Sequence, residues 1–309
     1  MPSLRRASVL LATTALVTLA SVAPSSAATE LNGSWAPFTR CPVDDPAMLA
    51  ADGRADIAIC IASSSVSGSI KLGNTQVPTG RTDLQAGVLT HADGTTTVVS
   101  PAGGALVADP AQLPGGLLGL MCPGDNIPVI SDLCAKITSA DLNRVDATIE
   151  SVNTPSEFQL LAGVVQGKPI IALPVRIKLD NPLLGSKCYI GSAADPIVLR
   201  PQNTTAPAVK TQRFDPDGTA NTAGVMGQIS ALGATQGDAT YTAPGANGCG
   251  LFGALDWAVN LKTGLPAGSG TNNVVLNNTS TYVAAFSSPS SAVPNEGALL
   301  SQYWHAGVK

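Results

Sequence analysis

At 309 residues the chain can bury a substantial core, as one large domain or two smaller ones. Only 12% of its residues are charged and the formal net charge is −4, a dispersed acidic balance that argues against nucleic acid, which calls for clustered Lys and Arg. With 44% hydrophobic residues beside that low charge, the composition also excludes a disordered chain, which pairs low hydrophobicity with high net charge.

The first 28 residues read as a secretory signal peptide. Arg5 and Arg6 form a positive end, residues 7–23 are almost uncharged and apolar, Pro24 breaks the helix, and Ser25, Ser26, Ala27 and Ala28 supply the small residues of a cleavage site. Cleavage after Ala27 or Ala28 fits equally. An uncleaved anchor is the alternative, but the apolar run sits at the lower limit for spanning a bilayer. Cleavage leaves 15 basic and 21 acidic side chains, a net of −6, and no later run long and apolar enough to span. Residues 29–309 then form the exported β-rich part.

Short alternating runs dominate the chain after the leader. Residues 69–72 and 75–77 flank Gly73 and Asn74, a turn that tolerates positive φ, and read as a hairpin. Residues 88–92 and 95–99 flank Asp93 and Gly94, the strongest hairpin signal in the chain. Residues 100–119, rich in Gly and Pro, mark a long connection or a domain sub-boundary. At their end, Leu117 to Met121 (LLGLM) is the most apolar stretch after the leader, a buried element clamped at Cys122 or a patch for lipid or a partner.

Residues 131–137 fit a two-turn helix with Ser131 as N-cap. In residues 145–150 and 175–179 apolar side chains take every second position, giving strands with one buried face; Pro174 suits a strand start or an edge. Residues 196–200 form a further strand. Residues 201–250 are a polar excursion full of Thr, Asn, Gln and Gly, and long excursions of this kind are functional or disordered. Residues 251–261 space Leu251, Leu255, Ala258 and Val259 at helical intervals. Residues 273–276 and 281–286 read as strands, with Asn277 and Asn278 as the turn between them. The pattern predicts a mainly β fold, an antiparallel sandwich or irregular barrel with one or two short helices.

All six cysteines, Cys41, Cys60, Cys122, Cys134, Cys188 and Cys249, come after the leader. An even number in an exported chain reads as a disulfide staple, with 15 possible connectivities. Pairing nearest neighbours in sequence is the simplest choice: Cys41 with Cys60, Cys122 with Cys134, Cys188 with Cys249. A zinc site would need C-x-x-C or Cys/His clusters, and the only histidines are His91 and His305.

The sequence holds no recognisable catalytic set. A serine hydrolase needs a histidine base beside an activated serine, and no G-x-S-x-G elbow exists. His91 lies beside a turn and reads as solvated; His305 reads as an exposed tail residue. Asp44 and Asp45 point apart on an extended segment and suit a solvated turn before Pro46; Glu150, Glu157 and Glu296 carry no further signature. Asp215, Asp217 and Gly218 invite calcium, but lack the third ligand and distal Glu of the EF-hand pattern and match ordinary turn chemistry. Trp35, Trp257 and Trp304 sit in apolar contexts and read as core, with sugar stacking the alternative. No cofactor or metal is implied.

Residues 181–192 (NPLLGSKCYIGS) with residues 196–199 behind them, together with Cys41, Pro42 and Val43, residues 244–250 (PGANGCG) and residues 262–266 (KTGLP), give a chain that resembles uncharacterised exported proteins of actinobacteria. The resemblance implies an extracellular location and a link between the Cys188 and Cys249 regions, and no activity, cofactor or active site. The expectation is a secreted, non-catalytic binding or structural protein of the cell envelope, with an extracellular or envelope ligand. The alternatives are a hydrolase of wall polymer or lipid using scattered carboxylates, and a carrier of apolar ligands with a dry cavity near Leu117.

Overall fold

The computed structural model describes residues 30–122, 128–137, 139–159, 162–163, 167–287 and 293–309. The leader read from residues 1–28 lies outside them. The described chain is mainly β, in two antiparallel sheets. In chain order, β1 (Asp56–Ser65), β2 (Ser67–Leu72), β3 (Thr75–Thr79), β4 (Thr82–His91), β5 (Thr96–Val99) and β6 (Leu106–Ala108) begin the large sheet. Strands β7 (Ala111–Gln112), β8 (Asp146–Ser151), β9 (Leu173–Asp180), β10 (Tyr189–Ile190) and β11 (Ile197–Leu199) build the small one. The chain then returns to the large sheet for β12 (Gln202–Asn203), β13 (Ala208–Phe214) and β14 (Met226–Asp238). It adds β15 (Ala246–Asn247) to the small sheet and closes the large one with β16 (Asn273–Phe286). The large sheet runs β12–β14–β16–β1–β4–β5, with β13 beside β14, β6 beside β4, and the β2–β3 hairpin on the first half of β16.

Three packed clusters hold these layers. On one face of the large sheet β1 presents the small residues Ala58, Cys60 and Ala62, so Trp35, Phe38, Met48, Leu300 and Trp304 approach closely. Trp35 stands edge-on to Phe214 at 5.2 Å and donates its indole N–H to the Pro216 carbonyl at 2.9 Å. On the opposite face Ile61, Val88, Val98 and Val283 lie under Phe158, Ile170 and Ile171. The third cluster joins Ile70, Leu72 and Val77 of the β2–β3 hairpin to Val175, Ile177 and Leu179 of β9. Burial along β9 alternates residue by residue, as its sequence requires.

Both expected hairpins form, with Gly73 and Gly94 at positive φ in their turns. The three disulfides are Cys41–Cys60, Cys122–Cys134 and Cys188–Cys249, the nearest-neighbour pairing, and no described cysteine is free.

Several expectations are corrected. Asn277 and Asn278 do not turn the chain: β16 runs unbroken through them, Asn278 adopts φ 50°, and the register with β14 shifts there. A positive-φ Asn serves a β-bulge as well as a hairpin turn, and here the bulge lets β16 pair first with β2 and then with β1. Residues 201–250 are no loop, because they hold β12 to β15, including the 13-residue β14. Residues 100–119 contain β6 of the large sheet and β7 of the small one, so the chain passes from one sheet to the other within them.

Helix is more frequent than its sequence signal. The described residues contain α1 (Pro46–Leu49), α2 (Gly116–Met121), α3 (Pro128–Lys136), α4 (Ala140–Asn143), α5 (Asp256–Thr263) and α6 (Glu296–Ala306), with 3-10 turns at Gly33–Phe38 and Leu251–Gly253. Helix α3 starts at Pro128, ahead of the expected cap Ser131. Helix α6 is not a tail: it buries Gly297, Leu300 and Trp304, and the segment after it closes against residues 30–32 through Asn32 N–H to Gly307 O (2.8 Å) and Lys309 N–H to Glu30 O (3.0 Å).

Candidate functional site

The residues singled out by chemistry resolve mostly into structural roles. Glu150 accepts from Arg176 at 2.9 Å, and that guanidinium lies 4.0 Å over the Tyr189 ring. Glu157 accepts two bonds from Arg200, each 3.0 Å; the guanidinium hydrogen bonds hold the carboxyl below its ordinary pKa and raise that of Arg200. Asp215 accepts from the Asn221 amide and Asp217 from Thr219 N–H, so this stretch is a turn whose Gly218 packs against Asn32 and Trp35.

The two histidines are not free. His91 Nδ1 meets Asp56 at 2.5 Å and its Nε2 meets the Thr97 hydroxyl at 2.8 Å, joining three adjacent strands at the end of the large sheet. The connectivity is that of a catalytic triad, but Thr97 stands exposed on an open sheet surface. His305 lies on α6 and meets Asp44 at 2.9 Å, while Ser301 one turn earlier donates to the same carboxylate at 2.6 Å. Asp44 therefore clamps the helix to the N-terminal segment. The Ser301 hydroxyl, then His305, hold its pKa below the usual carboxylate value.

Trp35 and Trp304 are core residues, as expected, whereas Trp257 is 47% exposed and is not. Leu117, Leu120 and Met121 are fully buried on α2 and join the core, while Leu118 on the other side of the helix is 37% exposed, so most of the LLGLM stretch packs inward. Among the described residues no group of three or more His, Cys, Asp or Glu side chains is arranged to hold a metal ion, and no helix is long and apolar enough to cross a membrane.

The best-formed concavity is an open groove of about 460 Å³ on the large sheet, where β13, β14 and β16 lie side by side. Register aligns Thr211, Ile229 and Val283 in one row, and Arg213, Gly227 and Ala285 in the next. Because Gly227 has no side chain, the second row is hollow at its centre. The floor is apolar, with Ile229, Val283 and Ala285; Thr211, Arg213 and Ser287 bring hydrogen-bonding groups to the rim. Arg213 is held in place by donating from Nε to the Gly224 carbonyl at 2.8 Å. The groove continues the sheet face that Phe158, Ile170 and Ile171 cover over β1 and β4. Edge strand β13 is exposed along Ala208 to Arg213, which leaves the groove open on that side.

A second cleft, about 390 Å³, is polar and includes Ser64, Arg81, Asp83, Gln85, Ser280 and Tyr282. Asp83 is committed there: it accepts from Arg40 Nε at 3.3 Å and from the Gln85 amide at 3.0 Å, and Arg40 also donates to the carbonyls of Asp83, Gly104 and Ala105. A third cavity, beneath Phe158 and Ile171, is about 30 Å³, room for roughly one water. Neither of these two clefts, nor an open one of about 340 Å³ beside Pro114, Asn143 and Arg144, contains two carboxylates.

Compared with known proteins, the chain matches no family model, no curated protein and no solved structure. The groove residues escape a sequence reading because they come from three strands that meet only in the folded sheet. The one signal near them is the density of uncharged polar residues in 201–250.

Proposed function

We propose that the protein is an exported, non-catalytic binding or structural component of a bacterial cell envelope, and that the β13–β14–β16 groove holds its ligand. The observation that carries this reading is the groove lining: an apolar floor, a hydroxyl and guanidinium rim, and no carboxylate, histidine or cysteine. Such a surface can hold an amphipathic, hydroxyl-bearing molecule but has no acid or base with which to transform it. Three disulfides and a leader-like N-terminus support the extracellular location. The resemblance to exported actinobacterial proteins points the same way.

Hydrolysis of wall polymer by two carboxylates is the weaker reading. It requires an acid and a base or nucleophile about 5–10 Å apart in one cleft, and the polar cleft offers only Asp83, already bonded to Arg40 and Gln85. The test is retention on insoluble peptidoglycan and on wall polysaccharide, with release of soluble fragments measured in parallel. Binding without release, lost in an Ala285→Trp variant that fills the groove, is the expected result. Release of fragments by the wild type, or retention unchanged in the filled variant, refutes the proposal.

A further inference from the structure

Beyond the groove, the structure carries an apolar projection. Four large apolar side chains lie close in sequence and exposed: Leu251 at 76%, Phe252 at 99%, Trp257 at 47% and Leu261 at 58%. Trp257 and Leu261 are one turn apart on the outer side of α5, whose inner side buries Ala258 and Val259. Leu251 and Phe252 form the 3-10 turn that leads into it. A phenylalanine with nearly its whole surface in water is presented by the fold, not left over from packing.

The turn is built to present it. Phe252 sits at φ 54°, a left-handed conformation that a bulky residue avoids, between Gly250 and Gly253, both also at positive φ. Its base is tied down by the Cys188–Cys249 disulfide, by Gly250 N–H to Leu184 O (2.7 Å) and by Leu255 N–H to Cys249 O (2.9 Å). Asp256 is the only acidic residue between positions 244 and 266, and it faces inward, accepting from Cys249 N–H at 2.7 Å and Gly248 N–H at 3.2 Å. Two lysines lie behind the projection: exposed Lys187, whose backbone packs against Gly248, and Lys262 on α5, about 100° round the helix from Leu261. Neither forms a salt bridge among the described residues, in a chain that is acidic overall.

We infer that Leu251, Phe252, Trp257 and Leu261 insert into the headgroup region of an anionic lipid surface, with Lys187 and Lys262 against its phosphates. A projecting tip needs no complementary socket in a bilayer, whereas a protein partner would have to supply one. An apolar tip with a tryptophan at its shoulder and lysines behind it matches the polarity gradient of a membrane interface. The association is peripheral, since no described helix is long and apolar enough to cross. It is independent of the groove, and the two are read in separate assays.

The test uses the disulfide-intact chain with phosphatidylcholine vesicles, with and without phosphatidylglycerol. Trp35 and Trp304 are already buried, so a change in tryptophan emission on binding reports Trp257. Expected are co-sedimentation with the anionic vesicles at low salt, a blue shift, and protection from acrylamide. Phe252→Gly suits the positive φ and leaves the near-UV spectrum unchanged; it is expected to weaken partitioning about 10- to 100-fold. The pair Lys187→Gln and Lys262→Gln should weaken it by about fivefold per lysine. No binding to anionic vesicles, equal binding to neutral ones, or binding indifferent to Phe252→Gly would each overturn the inference. So would a dimer in sedimentation analysis that Phe252→Gly dissolves.

Discussion

Glu296 is the first residue of α6, only 3% exposed, with one carboxyl oxygen lacking any hydrogen-bond partner. Burial pushes its pKa up to about 7, with the Asp52 carboxylate adding to the rise and the Ala58 N–H opposing it. A helix N-terminus favours a negative charge by only about 0.3–1 kcal/mol, too little to offset the desolvation. In the unfolded chain the group titrates near about 4.3, so the protonated acid is the form the fold prefers. This contribution to stability is therefore fully present below about pH 4.3 and is lost as pH rises through about 7. At about 1.4 kcal/mol per pKa unit, over roughly 2.7 units, ionising Glu296 costs the fold about 4 kcal/mol at pH 8.5. Glu296→Gln stays neutral at every pH. Urea unfolding of both chains, disulfides intact, should give nearly equal stability at pH 4 and a variant more stable by about 3–4 kcal/mol at pH 8.5. Any other group that titrates in this range is common to both chains and drops out of the difference. Parallel pH profiles for the two proteins would refute the reasoning.

Loop-closure entropy ranks the disulfides by the chain they enclose, with separations of 61, 19 and 12 residues. Replacing both cysteines of Cys188–Cys249 should cost about 4 kcal/mol, and replacing those of Cys122–Cys134 about 3 kcal/mol, measured by denaturant titration. Gly297→Ala should destabilise by more than about 3 kcal/mol despite its better helix propensity, because a Cβ there would collide with the Met48 carbonyl of α1; a Tm equal to wild type would show that the helices can part freely. Asp44→Asn should cost less than about 1 kcal/mol at neutral pH, since the carboxylate and His305 are largely exposed. That cost should vanish as pH falls through the lowered pKa of Asp44, and a double-mutant cycle with His305→Ala measures the pair.

Legible in the sequence is what short-range physics decides. Gly73 and Gly94 turn their hairpins because each turn requires positive φ. The alternation of Val175, Ile177 and Leu179 fixes the buried face of β9. Even the cysteine pairing obeys chain proximity. Strand β1 escapes a pattern reading because Ile57 to Ala62 is continuously apolar, and the fold buries side chains on both faces of its sheet; period-two contrast then disappears. Strand β14 is hidden by its Gly, Ser, Thr and Gln content, yet Gln228 is buried and paired with Gln212 and the Ser34 carbonyl. Ser34 lies far away in sequence, so no local pattern announces that pairing.

The same division runs through the proposed binding surfaces. Composition and cysteine count determined a folded, disulfide-stapled, mainly β chain. Only the tertiary structure decided that Trp257 faces water while Trp35 and Trp304 do not, that His305 meets Asp44, and that three strands leave a groove around Gly227. Turn and strand preferences are set by neighbours along the chain, whereas exposure is set by whichever distant segment comes to cover a residue. Among the described residues, nothing covers Phe252.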